Sequence, residues 1–130
     1  LSYAALAAEL AAGHPDTGPY DADNAIAAGE LNAKNRSKNR TSMSGSEILN
    51  AIDKTEFNAL TAANKQLVWD LLHLGTLNPF GIEAGLFVDA FGGGSTTITS
   101  LAALRKESIS RGEELGLGIV TEGDVEIARA

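Results

Sequence analysis

The chain has no cysteine, so it can form no disulfide, offer no thiolate nucleophile and build no Cys-ligated zinc site. That absence alone does not fix a compartment. Its only histidines are His14 and His73, and neither sits in a His-Glu-x-x-His or comparable ligand spacing. Aromatic residues make up 5% of the chain, so a core has to be assembled from Ala, Leu and Ile, residues that suit close helix packing. No apolar run is long enough to span a membrane. The opening stretch Leu1–Ala12 carries Glu9 and lacks the basic region of a secretory signal, and it reads as a folded helix.

Positive charge is also scarce. Ten Lys and Arg against seventeen Asp and Glu leave a net charge of -7, which opposes nonspecific attraction to nucleic-acid phosphates and to anionic membranes. Nucleic acid and membrane are therefore unfavourable partners. A length of 130 residues suits one compact domain and is short for two of ordinary size.

What is present is helical periodicity. Tyr3, Leu6, Ala7 and Leu10 share one face before Gly13-His14-Pro15-Asp16 breaks the pattern. An Ala-rich run from Asp21 to about Ala33 predicts a second helix, with acidic residues in its first turn to complement the helix dipole. Ser44 and Glu47 have the spacing of a capping box, followed by Ile48, Leu49 and Ile52 on one face. Thr61 caps the next helix, whose stripe is Leu60, Ala63, Leu67, Val68, Leu71, Leu72 and Leu74, and Gly75 ends it. After the Asn78-Pro79 turn, Ile82, Leu86, Phe87, Ala90 and Phe91 define a further face, so the span Ser44 to Phe91 is expected to supply the core. Gly92-Gly93-Gly94 separates it from a helix opened by Ser95 or Thr96 and carrying Ile98, Leu101, Ala102 and Leu104. The remainder predicts a short helix around Ser110 to Leu115, a Gly116-Leu117-Gly118 break, the β-prone pair Ile119-Val120 and a terminal helix opened by Thr121. The expected fold is mainly α, a compact multi-helix single domain. It has room for one small two-stranded β patch pairing Arg40–Met43 with Ile119-Val120.

Three segments organise the chain: an N-terminal helical segment over 1–33, a basic arm or loop over 34–43, and a helical core over 44–130. Four of the ten basic residues fall between Lys34 and Arg40 with no large apolar residue to bury, which predicts a solvated arm. Lys34, Arg36, Lys38 and Arg40 are its candidate contacts to an acidic protein neighbour. The arm has no aromatic residue for base stacking, so nucleic acid is the weaker reading.

Patterns that would carry catalysis or cofactor binding are incomplete. The loop Phe91 to Thr97 leads glycines into a helix N-terminus, a setting that can hold an anion, yet it has no P-loop lysine and no preceding strand. It reads as an interhelical turn. Asp21-Ala-Asp23-Asn24 starts like a calcium loop, but Ala25 and Ile26 stand where an oxygen ligand and glycine are needed. Glu113-Glu114 and Glu122/Asp124 read as solvated faces rather than converging acid/base pairs, since adjacent helical residues diverge by about 100°. No catalytic residue, metal ligand or cofactor is expected.

From Ser44 onward the order Ser44-Gly-Ser-Glu-Ile, Glu56-Phe-Asn-Ala-Leu-Thr, Asn78-Pro-Phe-Gly, Phe91-Gly-Gly-Gly-Ser, Leu101-Ala-Ala-Leu and Ser110-Arg-Gly-Glu-Glu-Leu-Gly-Leu-Gly-Ile-Val-Thr-Glu-Gly-Asp-Val resembles small proteins encoded in the virion structural modules of tailed bacteriophages. The resemblance implies a noncatalytic particle component: a multi-copy accessory or decoration subunit located in the virion, with a major capsid or tail protein as partner. The alternative is an intracellular assembly factor or small regulatory interaction module that is absent from the finished particle.

Overall fold

Caps and breakers divide the chain into short helices, and the computed structural model, which describes all 130 residues, is mainly α-helical. The order is α1 (Tyr3–Ala12), α2 (Asn24–Asn32), β1 (Arg36–Asn39), β2 (Met43–Ser44), α3 (Gly45–Ala51), α4 (Lys54–Asn58) and α5 (Ala62–Leu72). It continues with β3 (Thr76–Leu77), α6 (Ile82–Phe91), α7 (Thr96–Leu104), β4 (Lys106–Ile109), α8 (Arg111–Glu114) and α9 (Glu122–Arg129). Two small sheets pair β1 with β4 and β2 with β3. Packing separates the chain into residues 1–38 with 108–130, and residues 39–107.

In the first unit, Ser2 caps α1 by accepting the Ala5 amide at 3.2 Å, and Gly13, at φ 89°, ends it ahead of Pro15. Leu6, Ala27, Leu31, Val120 and Val125 are almost completely buried together, with Tyr20 and Leu117 beside them. Helix α9 covers both α1 and α2. The expected core over Ser44 to Phe91 is thus corrected, because this second apolar cluster lies wholly outside that span. The first-turn acids also move. Helix α2 begins at Asn24, so Asp23 stands before it as the cap, accepting the Ala25 and Ile26 amides at 2.9 and 3.1 Å.

The expected pairing of Arg40–Met43 with Ile119-Val120 does not form. The Asn32 side chain donates to the Val120 carbonyl at 2.7 Å and accepts from the Val120 amide at 2.9 Å. It satisfies the backbone groups that a neighbouring strand would have used. Met43 pairs antiparallel with Leu77 instead, and Ser44 with Thr76.

The second unit buries Met43, Ile48, Val68, Leu71, Leu77, Phe87 and Leu101. Helix α3 packs on α5 and α7, and α6 packs on α5 and α7. Capping follows the residue types: Ser44, Thr61 and Ser95 accept the Glu47, Asn64 and Ile98 amides. The additional helix α4 is capped by Asp53, which accepts the Glu56 amide at 2.9 Å. Three large residues expected on the apolar stripes face solvent, Leu49 at 46% exposure, Leu74 at 59% and Ile82 at 81%. Leu74 lies beyond the end of α5, where helical phase no longer directs it, and Ile82 is the first residue of α6.

Candidate functional site

The turn before α6 is set by Asn78, whose side-chain oxygen accepts the Phe80 amide at 2.9 Å, with buried Pro79 between them. From that turn α6 presents Ala84, Phe87 and Val88 to Ile98, Leu101 and Ala102 of α7, while Met43, Ile48 and Leu77 close the floor. Between them lies an apolar cavity of about 240 Å³. Its polar lining is Asn78, Glu83 and Arg105. The Glu83 carboxylate folds back over Gly81, at the start of its own helix.

Arg105 follows α7 as its C-cap, and its guanidinium carbon sits 4.0 Å from the centroid of the Phe80 ring. The stack is a cation–π contact. Its Nε is buried and has no hydrogen-bond acceptor. Arg36, Arg40 and Arg111 are paired with carboxylates, and Arg129 bonds to Asn24 and to the carbonyls of Asp21 and Ala22. Arg105 differs from the first three in having no carboxylate paired with it; its guanidinium stacks on Phe80 instead.

A second, smaller recess of about 160 Å³ is bordered by Gly45, Ser46, Leu49, Trp69, Leu72 and His73. Trp69 is 43% exposed and Leu49 46%, with Leu74 exposed just beyond the helix. The edge-to-face contact with Phe57 fixes the indole at 6.0 Å between ring centroids, and His73 Nδ1 donates to the Trp69 carbonyl at 2.6 Å. The only tryptophan thus packs against Phe57 and remains half exposed.

The basic arm is mostly solvent-exposed, as expected, but it is not a free loop. Arg36 to Asn39 is strand β1, and the charges on either side are used within the protein. Lys34 pairs with Glu113; Arg36 reaches Asp16 at 2.9 Å and Glu114 at 3.1 Å; Arg40 reaches Glu47 at 2.5 Å. Lys38, on the same strand, has an interaction as well. The Lys34 and Arg36 cations hold the Glu113 and Glu114 carboxyls below the ordinary glutamate range. A partner's acids would have to displace these intrachain carboxylates. Behind them, Glu9 is buried and accepts Arg111 Nε at 2.9 Å, Arg111 Nη2 at 3.1 Å and the Tyr20 hydroxyl at 2.8 Å. The Arg111 hydrogen bond lowers the Glu9 carboxyl, whereas burial, followed by the Glu9 contact, raises the Tyr20 phenol.

The anion setting at the start of α7 is filled from within. Glu56 accepts the Thr96 amide at 2.9 Å, and the Thr97 amide and hydroxyl at 2.7 and 2.6 Å. His14 is buried in the turn after α1, where Nδ1 accepts the Asp16 amide at 3.0 Å, and it meets Tyr20 edge-on. No three His, Asp or Glu side chains converge in a way that could hold a metal ion, and no helix is long and apolar enough to cross a membrane.

Arg105, Phe80 and Trp69 escaped the sequence reading because each is solitary. The available signal was an arginine closing an apolar helix, together with an aromatic directly after Asn-Pro. Comparison with family models, with curated proteins and with solved structures yields no match.

Proposed function

We propose that the protein is a noncatalytic structural component of a tailed-bacteriophage particle. It is a multi-copy accessory or decoration subunit, made in the host cytoplasm, that docks on a major capsid or tail protein and stabilises it. The observation that carries this reading is the half-exposed Trp69, in edge-to-face contact with Phe57 and sharing a recess with exposed Leu49. Large aromatics fixed in place on a surface supply contact area at little entropic cost and dominate many protein interfaces. The sequence resemblance from Ser44 onward supplies the particle setting. The docking surface moves from the basic arm to the Trp69 face, because Lys34, Arg36 and Arg40 already have intrachain partners.

Quantitative mass spectrometry of purified particles tests it. The expected result is a fixed, multi-copy ratio of this chain to the major capsid or tail-tube protein, and loss of the chain from particles carrying Trp69→Ser with its helical circular dichroism retained. A chain found on assembly intermediates and missing from finished particles would instead identify an assembly factor.

A further inference from the structure

We infer that the turn from Gly13 to Gly18 is an acid-sensitive latch: a proton taken up at His14 Nδ1 removes the acceptor that folds the turn, and the turn opens. The latch lies within the unit formed by residues 1–38 and 108–130, and it depends neither on the particle setting proposed above nor on the Trp69 face.

The order Gly13-His14-Pro15-Asp16-Thr17-Gly18 builds the turn. His14 N–H donates to the Gly18 carbonyl at 2.7 Å, and Gly18 N–H donates to the His14 carbonyl at 3.0 Å. Pro15 has no N–H, so the next two donors are the amides of Asp16 and Thr17. Both point to His14 Nδ1, at 3.0 and 3.4 Å. The imidazole thus takes the part that an Asn or Asp side chain plays at the head of a turn. Backbone amides only donate, which makes Nδ1 an unprotonated acceptor and puts the hydrogen of the neutral ring on Nε2.

Burial makes this arrangement intolerant of a second proton. His14 is 3% exposed, and its Nε2 has no hydrogen-bond partner. An imidazolium carries N–H on both nitrogens, so Nδ1–H would face two amide hydrogens while the unpaired Nε2–H carried buried charge. Opening the turn relieves both conflicts. Pro15, Asp16 and Thr17 are already exposed, and the ring can reach water without moving an apolar core residue.

The surrounding charges leave the latch to His14. On α1, the Glu9 carboxylate attracts a proton on His14, but its oxygens already accept the Tyr20 hydroxyl and Arg111 of α8, whose cation opposes that attraction. Tyr20 meets the His14 ring edge-on and stays a neutral phenol, because burial raises it. Asp16 is held at 2.9 Å by Arg36 of β1, which also bonds Glu114. Opening the turn separates Asp16 from Arg36 and so links proton uptake to strand β1.

Imidazole nitrogen NMR and amide exchange with water, measured on the full chain from about pH 8 to about pH 5, the range in which histidine ordinarily titrates, test this. At the upper end the His14 ring is expected as the Nε2–H tautomer with the Asp16 amide protected. As the ring takes up its proton, Asp16 protection should fall about tenfold or more through loss of its acceptor, while the Leu31 and Val125 amides keep theirs. His14→Asn retains a side-chain acceptor but cannot titrate, and it should keep Asp16 protected throughout. His73→Gln removes the other histidine and should leave the acid response unchanged. An Nδ1–H tautomer at the upper end, a His14 ring still neutral at the lower end, or a protonated ring with Asp16 protection intact overturns the proposal. An equal acid loss in His14→Asn also overturns it, by tracing the response to the carboxylates.

Discussion

Glu56 reaches Thr97 through two hydrogen bonds, accepting its amide at 2.7 Å and its hydroxyl at 2.6 Å, so helix α7 carries its own anion at its N-terminus. The glycine-rich approach to this helix has the outward form of a phosphate cradle, yet the amides of Thr96 and Thr97 point to a glutamate forty residues earlier in the chain. Millimolar inorganic phosphate is therefore expected to leave the amide resonances of Thr96 and Thr97 in place. A saturable movement there would contradict the assignment. Glu56→Gln should lower Tm in thermal unfolding by circular dichroism while preserving the helical signal.

The same contact makes stability depend on pH. Hydrogen bonds from Thr97 hold the Glu56 carboxyl below its ordinary value, and those from Arg111 do so for Glu9. Groups whose folded pKa is depressed bind more protons in the unfolded chain. Their contribution is complete above the unfolded glutamate pKa of about 4.3 and is lost as pH falls through the lower folded values. Chemical denaturation should show little change from these groups near neutrality and a loss of stability below about pH 4.5, with a shallower acid slope in Glu56→Gln.

Arg111 is the sole cation bonded to the buried Glu9 carboxylate. Replacing it by Met leaves that charge with only the Tyr20 hydroxyl, and removal of one partner from a buried pair costs about 3 kcal/mol or more. Urea unfolding of Arg111→Met should show a loss of that order. The double replacement Glu9→Leu with Arg111→Met should recover much of it, because no uncompensated charge then remains. Equal destabilisation in the single and double variants would show that the pair is not coupled in this way.

Two helical glycines are expected to respond in opposite directions. A Cβ at Gly29 meets nothing within 4 Å, so Gly29→Ala should stabilise by about 0.5–1 kcal/mol through the unfolded chain's lost freedom. A Cβ at Gly112 would fall 2.7 Å from the Gly118 carbonyl oxygen and 3.3 Å from that of Leu31. Backbone cannot retreat as a flexible side chain can, and Gly112→Ala should cost about 1–3 kcal/mol. Denaturant midpoints of the two variants check both signs.

Much of the helical pattern was legible locally. Ser44, Thr61 and Ser95 mark helix starts by their side-chain chemistry, and Val68, Leu71 and Phe87 are buried as their spacing requires. The errors lie where a distant partner decides. Val120 looked like part of a strand until Asn32, 88 residues away, took both of its backbone groups. The intrachain partners of Lys34 and Arg36 were not legible because Glu113 and Glu114 lie nearly eighty residues later. The cavity had no local signature at all, because its walls come from separate helices and its one cation is a lone Arg105.

Composition and periodicity by themselves determined that the chain is mainly helical, that it lacks thiol chemistry, and where most helices begin, since caps and amphipathic stripes act within one or two turns. Tertiary structure alone decided that residues 108–130 share a core with the N-terminal helices and that Glu56 fills the α7 terminus. It alone left Trp69 facing solvent and Arg105 without an acceptor at an apolar cavity. These outcomes depend on which surfaces and charges meet across the chain, and the energy of such a meeting belongs to the pair of residues, not to either residue in its local sequence.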